Sequence, residues 1–454
     1  MEEIVALAKR RGFIYPSSDI YGGLANSWDF GHYGTLLKNN IRDLWWKTFV
    51  LDREDMVGLD ASIMLNAKVW EASGHVTGFT DSLIDCKNCH FRTRADHLIE
   101  NKVEGIKVEG LSVGELTRLV KEHGISCPKC GKKDFTDVRK FNLLFETKMG
   151  IIEGDKSTLY LRGEIAQGIF LNFKNVINTM RVSLPFGIAQ QGKAFRNEIT
   201  MGQFVHRTME FDLMEFEYFI RPEAWEKTFE YWKEEMWKFT QSLGLKEKSL
   251  RWREHEEFER SHYSKRTMDI EYRYPFGWKE MFGIAYRTNF DLSNHMKHSG
   301  KDLSYIDPLT KETLIPHVIE PTFGLSRLTG IVLTDAFVKE EVNGKERFVL
   351  KLNPKIAPVK AAIFPLQKDE KLVLVARKLF ASLKKQYVVE YDNRGNIGKM
   401  YRRQDEIGTP YCITVDYQTL EDRTVTIRER DTMKQERISM DKVADVVTKR
   451  ITNS

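Results

Sequence analysis

The chain has 454 residues, 41% of them hydrophobic and 30% charged, with a formal net charge of +5. It is too long for one average domain, and no apolar run approaches the ~20 residues that a membrane-spanning helix needs. The start, MEEIVALAKRR, sets acids before a short apolar stretch and has no cleavage-site pattern, so no secretory signal is predicted and the expected location is cytoplasmic.

Residues 1 to about 80 mix helix and strand signals around a glycine-rich turn, YGGLANSWDFGHYG. Two C-x2-C pairs follow, Cys86 with Cys89 and Cys127 with Cys130, separated by 37 residues. Such thiolates can close a tetrahedral zinc site, and the short gap lets one tight turn present both sulfurs to the ion. With no spare ligand position the metal would be structural. Reduced free thiols are the alternative, since a cytosolic chain disfavours disulfides. This insertion runs over roughly 82–140, with a helical stretch at GELTRLVKEHG. Cys412, in strand-like YCITV, reads as a buried thiol.

Short strands and turns dominate from 141 to about 220. In AFRNEITMGQFVHRTMEFDLMEFEYF (194–219), a period of two places Arg196 and Glu198 on one face of a first strand and Glu215 and Glu217 on one face of a second. Met214, Phe216 and Tyr218 take the opposite face, which predicts half-buried strands joined by a mobile basic loop ending in His206 and Arg207. A solvated face and a functional face both account for those charges. EAWEKTFEYWKEEMWKFTQSLG (223–244) predicts an amphipathic helix ended by Gly244, with Trp225, Phe229, Trp232 and Met236 at helical spacing as core. A linker is read at LNPKIAPVK (352–360), and after it helix and strand alternate as in an α/β domain with a parallel or mixed sheet. From Lys355 onward 20 Lys and Arg stand against 14 Asp and Glu, a balance compatible with nucleic acid.

SSDIYGGLANSWDFGHYGTLLKNNIRDLWW, VWEASGHVTGFTD, RADHLIE, AQGIF, AFRNEIT, RTNFDL, IEPTFGLSR and IGKMYRRQDEIGTP together resemble glycyl-tRNA synthetases of the dimeric class II type, in the family's order, from about Ser17 to Ile438. The resemblance implies an α+β catalytic domain (1–350) built on the class II antiparallel sheet flanked by helices. It also implies the four-cysteine zinc (Zn2+) insertion at 82–140 and a C-terminal α/β anticodon-binding domain at 355–454. The implied activity is glycine–tRNA ligation by a homodimer, with ATP and Mg2+ forming glycyl-adenylate before transfer to tRNA(Gly). In keeping with this, the chain has no P-loop glycine-lysine motif and no HExxH.

By the same resemblance, Arg196, Asn197 and Glu198 form the second class II signature, with Arg196 on the α-phosphate and Glu198 on the nucleotide side. His206 and Arg207 belong to the loop over ATP, Phe211 stacks on adenine, Glu280 and Met281 form a further ATP-binding pair, and Gly324 and Arg327 reach the γ-phosphate side. Glycine is expected to meet Arg94, Glu164, Phe211, Glu215, Arg287, Glu320, Thr322 and Gly324, with acids at its ammonium and Arg287 at its carboxylate. Crowded carboxylates repel when no ligand is bound, so raised pKa values are expected there. Against the family's usual residues, Gly163 replaces proline, Ile165 threonine, Thr322 serine, Ala67 proline and Met400 arginine. A non-catalytic relative would be free to lose Arg196, Glu198, Glu280 or Arg327, and all are present. Arg402 and Arg403 are candidate RNA contacts.

Overall fold

The computed structural model describes residues 1–103, 105, 106, 108, 110–150, 157–199, 202–342 and 344–453. Thr200 and Met201 of the basic loop, Glu104, Lys107 and Glu109 of the insertion, and Ser454 therefore lie outside the described residues.

A seven-stranded sheet organises the larger part of the chain. Its strands are β1 (Met56–Leu59), β2 (Phe186–Phe195), β3 (Glu210–Ile220), β4 (Leu250–Glu254), β5 (Arg266–Tyr274), β6 (Gly277–Thr288) and β7 (His317–Gly324). They lie in the order β4-β5-β6-β7-β3-β2-β1. Every pairing is antiparallel except that of β2 with β1.

Helices cover both faces of the centre. The flanking helices are α1 (His32–Trp46), α2 (Ala166–Met180), α3 (Trp225–Ser242), α4 (Phe290–Ser299) and α5 (Leu325–Ala336). On one face Phe216 packs its ring 4.6 Å from Trp232 of α3 and 6.1 Å from Trp45 of α1. On the other, Ile169, Phe170 and Phe173 of α2 and Leu292 of α4 close over Phe186, Ile188, Phe219 and Val318. The half-buried strand expected from the alternation in β3 is thus buried on both faces, from Asp212 through Ile220. Period two separates the faces of a strand but carries no information about what covers each of them. β2 also stops at Phe195, so Arg196 and Glu198 sit just beyond the strand end. The α3 prediction holds for Phe229, Trp232 and Met236, which are buried, while Trp225 is only partly buried at the helix start; Gly244 takes φ +77° just past the helix end.

The four-cysteine insertion carries a three-stranded antiparallel sheet with Thr80–Asp85 between Arg92–Arg94 and Arg139–Asn142. Among the described residues it has two helices, Ala95–Glu100 and Val113–Glu122, and the second opens with a capping box between Ser112 and Glu115. The C-terminal unit has a mixed sheet. Ala361–Pro365 lies parallel to Val389–Tyr391 and to Tyr411–Val415, and Thr424–Glu429 and Gln435–Ser439 extend the sheet antiparallel.

A buried polar joint ties this unit to the larger one. Arg347, on the hairpin before the linker, donates to Asp405 on helix Ile397–Ile407 at 2.9 Å. Arg428 holds the other side of Asp405 at 3.0 Å, and Arg347 also donates to the Arg430 carbonyl. Arg402 donates to the Glu346 carbonyl across this joint, and Arg403 pairs with Asp392. Asp405→Asn leaves two buried guanidiniums short of charge. A loss of roughly 3 kcal/mol is expected, read as a lower urea midpoint for the transition that separates the two units.

Candidate active site

The floor of the site is a tile of side chains on one face of adjacent strands. Gln190 of β2 stands opposite Glu215 of β3, and Glu215 stands opposite Thr322 of β7. One pleat along lie Glu217 and Glu320. A register shift between Tyr286 and Thr288 makes Arg287 the extra residue of a bulge, a device that re-aims a side chain. The Arg287 guanidinium is fully buried among acids. It grips Asp291 through two bonds of 2.8 Å, donates to Glu320 at 2.7 Å and lies 3.6 Å from Glu164. Its plane rests 3.8 Å from the centre of the Tyr263 ring.

Gln167, in the first turn of α2, donates to Glu164 at 2.8 Å and to Asp291 at 2.9 Å, and bonds back to His295 at 2.7 Å. His75 stands 3.3 Å from Glu164 and is held from behind by Ser73 at 2.8 Å. The N-terminal ends of α2 and α4 both face this cluster, and their positive dipole ends favour its anions.

The acids respond differently to the shared charge. Burial, then Glu320 and Glu164, push Glu215 well above the usual carboxyl range. Burial and Glu320 do the same to Glu217. Glu320 rises to about 7, since burial outweighs its bond to Arg287. Glu164 departs from the expected rise: His75 and Arg287 outweigh its burial and hold it well below the ordinary value. Both oxygens of Glu217, one of Glu215 and the whole amide of Gln190 are buried without a hydrogen-bond partner among the described residues. Glu215, Glu217 and Glu320 offer oxygens within 4.8 Å of one another, a spacing suited to a cation or an ammonium group.

A cationic cleft opens beside this floor, lined by Arg196, Glu198, His206, Arg207, Phe211, Glu280, Thr322, Gly324 and Arg327. Arg196 donates to the Gly163 carbonyl at 3.0 Å, and its guanidinium lies 5.1 Å from the Phe79 ring centre and 5.4 Å from that of Phe211. Arg207 lies 3.6 Å from Glu198. Arg327, in the first turn of α5, pairs with Glu280 at 2.7 Å and donates to the His206 carbonyl at 3.1 Å. Burial and Arg327 lower the His206 imidazole to about 3, so it stays neutral near pH 7 and meets the Tyr274 hydroxyl at 3.1 Å. Arginines on one open wall and the amino end of α5 make an anion-binding surface.

Some expected site residues lie elsewhere. Arg287, expected at a substrate carboxylate, is the counter-ion of the acids instead, because its donors already meet Asp291, Glu320 and Glu164. Arg94 pairs with Asp81 at 3.0 Å and with Asp96, near Glu198 and away from the acidic floor. The Met281 side chain is buried in the core at a second bulge of β6, and Asn197 is held through its backbone by Leu143, so neither side chain lines the cleft. Asp291, Gln167, His75 and Glu217 were missed, although RTNFDL, AQGIF, VWEASGH and the alternation in β3 contain them.

The departures from the family pattern have local reasons. A side chain on Gly163 would start 3.0 Å from the Phe79 ring and 3.2 Å from Leu144. Ile165 is buried with Ala194 and Leu213, and the Thr322 hydroxyl still reaches Glu215 at 3.5 Å. Ala67 opens a short helix capped by the Asn66 side chain, and Met400 packs against Ala362, Phe364 and Cys412.

The cysteines converge. Cys86 and Cys130 sulfurs are 3.6 Å apart, as are those of Cys89 and Cys127. A tetrahedral zinc with bonds of about 2.3 Å needs sulfurs about 3.8 Å apart, so the set fits. The two knuckles repeat one geometry: His90 and Gly131, each following its second cysteine, take φ +54° and +74°. Each donates its backbone N–H to the carbonyl of the first cysteine at 2.9 Å. Backbone N–H groups of Cys89 and Asn88 aimed at the Cys86 sulfur lower its thiol to about 7.

Comparison with known proteins agrees on the class. Residues 360–450 match the anticodon binding domain family. A glycine–tRNA ligase of Caldanaerobacter subterraneus subsp. tengcongensis is 52% identical over 447 residues, covering 98% of this chain and 96% of the relative. That of Acetivibrio thermocellus is 54% identical over 448 residues (98% and 96%), and that of Geobacillus thermodenitrificans 52% over 456 (99% and 97%). The chain belongs to the glycine–tRNA ligase family.

Within that family's fold the acidic floor has a measurable cost. The folded chain keeps the Glu217 proton where the unfolded chain gives it up, so folding loses stability as pH rises above the ordinary carboxyl range. Glu217→Gln removes the titration. Its melting temperature relative to wild type is expected to climb from pH 5 to pH 8, with a gain of at most about 1.4 kcal/mol per pH unit. A pH-independent difference in thermal melts would contradict this.

Proposed function

We propose that glycine–tRNA ligation, the activity this chain shares with its family, runs through the acidic floor and the cationic cleft side by side. The carrying observation is their adjacency: Glu215 and Thr322 face each other across paired strands, and Thr322 also lines the cleft of Arg196 and Arg327. An amino acid with its ammonium on the acids thereby turns its carboxylate toward bound phosphate.

Activation needs the carboxylate of glycine to attack the α-phosphorus of ATP while pyrophosphate leaves. The nucleophile is already ionised, so no general base is required and catalysis is positioning plus charge stabilisation. Arg196 takes the α-phosphate, its guanidinium braced by Phe79 and Phe211. Arg327 takes the γ-phosphate, with Gly324 allowing approach at the amino end of α5. His206 and Arg207 close over the nucleotide, Glu198 and the backbones of Asn197 and Met281 border it, and Phe211 turns from Arg196 to the adenine. Glu280 would hold Mg2+, which neutralises phosphate charge when bound. Glu215 and Glu320 receive the ammonium, Glu164 and Arg287 fix the charge beneath them, and Thr322 narrows the pocket to glycine. Arg94 braces the cleft near Glu198 through Asp81. Transfer of the glycyl group to the 3′ end of tRNA(Gly) completes the reaction, with the C-terminal domain (355–454) on the anticodon side of the RNA and the catalytic domain (1–350) at the acceptor end. The cysteines of the 82–140 insertion would hold structural zinc, and the working particle is a cytoplasmic homodimer. No helix among the described residues is long and apolar enough to cross a membrane.

Exchange of labelled pyrophosphate into ATP is expected with glycine and not with alanine, serine, threonine or proline. Exchange with another of these, or none at all, would overturn the pocket assignment. Arg196→Lys should cut the glycine-dependent rate by about 10²–10³-fold. Elemental analysis of protein purified without added metal should find about one zinc per chain; less than a tenth of that would remove the four-cysteine site.

A further inference from the structure

Charge balance under the pocket is the starting point. Glu164, Glu215, Glu217, Asp291 and Glu320 converge there, and the basic side chains facing them from the neighbouring elements include Arg287, Arg196, Arg162 and the imidazoles of His75 and His295. Arg287 spends its donors on Asp291, Glu320 and Glu164. His75 serves Glu164, Arg196 lies at the cleft and bonds to Gly163, and Arg162 donates to the carbonyls of Lys193 and Ala61. Among the described residues nothing of positive charge bonds to Glu217. It faces Glu215, Glu320, Asp291 and the far side of Arg287, is fully buried, and has both oxygens unpartnered among the described residues. One ammonium ion cannot neutralise Glu215, Glu217 and Glu320 together, and an unpaired charge at this depth is prohibitively costly.

We propose that Glu217 is a positioning residue that remains a neutral carboxylic acid beneath the glycine pocket, donating its hydrogen to the Glu215–Glu320 pair, and that glycine enters in exchange for the proton of Glu215. This rests on the ammonium lying at Glu215 and Glu320, as proposed above. In the exchange the glycine ammonium keeps its protons, the Glu215 O–H bond breaks, and its proton passes to solvent. The Glu217 hydrogen then fixes which oxygens of Glu215 and Glu320 stay open to the ammonium. Gln190, opposite Glu215 and likewise unpaired, supplies an amide N–H and a carbonyl on the same tile, so the floor contains neutral donors as well as acceptors.

Calorimetric titration of the full chain with glycine near pH 7, in phosphate and in Tris, reads the proton directly. The apparent heats should differ by the buffers' ionisation heats multiplied by about one proton released. Glu217→Gln keeps a neutral donor of the same shape, so its glycine KM in pyrophosphate exchange should stay within about fivefold of wild type. Glu217→Ala, which removes the donor, should raise that KM by tens of fold with the ATP KM little changed. Buffer-independent heats overturn the proton exchange, and a hundredfold rise in KM for Glu217→Gln would make Glu217 an ionised ligand of the ammonium. Either result, obtained in a preparation that still exchanges with glycine, leaves the ligase reading intact. Loss of glycine-dependent exchange in the wild type overturns both.

Discussion

Arg287 has to satisfy several acids at once, and the surrounding architecture follows from that. A guanidinium with no solvent exposure is tolerable only among compensating acids, and here it bonds to Asp291 and Glu320 with Glu164 3.6 Å away. Each partner comes from a different place: the start of α4, the centre of β7 and the approach to α2. The bulge in β6 that aims Arg287 inward therefore fixes two helix ends and two strands relative to one another. Gln167 and His75 complete the lattice by bonding the same carboxylates from outside. The result is a tightly bonded floor in which Glu215, Glu217 and Glu320 hold more carboxylate than Arg287 alone can offset.

The cleft above it has the opposite sign. Keeping cations and anions apart in one site requires that they not collapse onto each other. Arg196 is held between two aromatic faces and a carbonyl, and Arg327 is held by Glu280 and the His206 carbonyl. Neither bonds to Glu215. Phe211 and Leu213, on the stretch of β3 leading from the cleft to Glu215, and Thr322 form the partition. A reaction whose nucleophile is already charged gains from this arrangement, because the protein has only to bring two anions together against a wall of fixed positive charge.

Much of this was legible in the sequence, for different physical reasons. The helix of Phe229, Trp232 and Met236 declared itself by periodicity, and the alternating C-terminal unit by its helix–strand rhythm. The cysteine knuckles followed from spacing, and the arginines of the cleft from the motif strings that carry them. The misses have separate causes, the first being that a strand's period gives sidedness but not depth. Glu217 lies two residues from Glu215 on the same face, and only the motif resemblance, which marks Glu215 and not Glu217, distinguishes the two in the sequence. Arg287 could not be placed because a bulge inserts one residue into a register and leaves no mark in composition. Asp291 sits four residues after Arg287 across a strand–helix junction, so no single periodicity joins them.

One short strand of the insertion reaches from the cysteines toward the cleft. Thr80–Asp85 carries Asp81 near its start and runs directly into Cys86. Asp81 holds Arg94 from the neighbouring strand, and both lie within electrostatic reach of Glu198 and Arg207. At the other end of the strand, Asp85 is gripped by Arg92 and Arg139, and its backbone carbonyl accepts from Thr136. The knuckles thus anchor the end of the strand farther from the cleft. A metal closing the thiolates would fix the phase of that strand, and with it the position of Asp81 and Arg94 beside the cleft. Structural and catalytic roles are not separable along such an element: its rigidity at one end is the precision of the ion pair at the other.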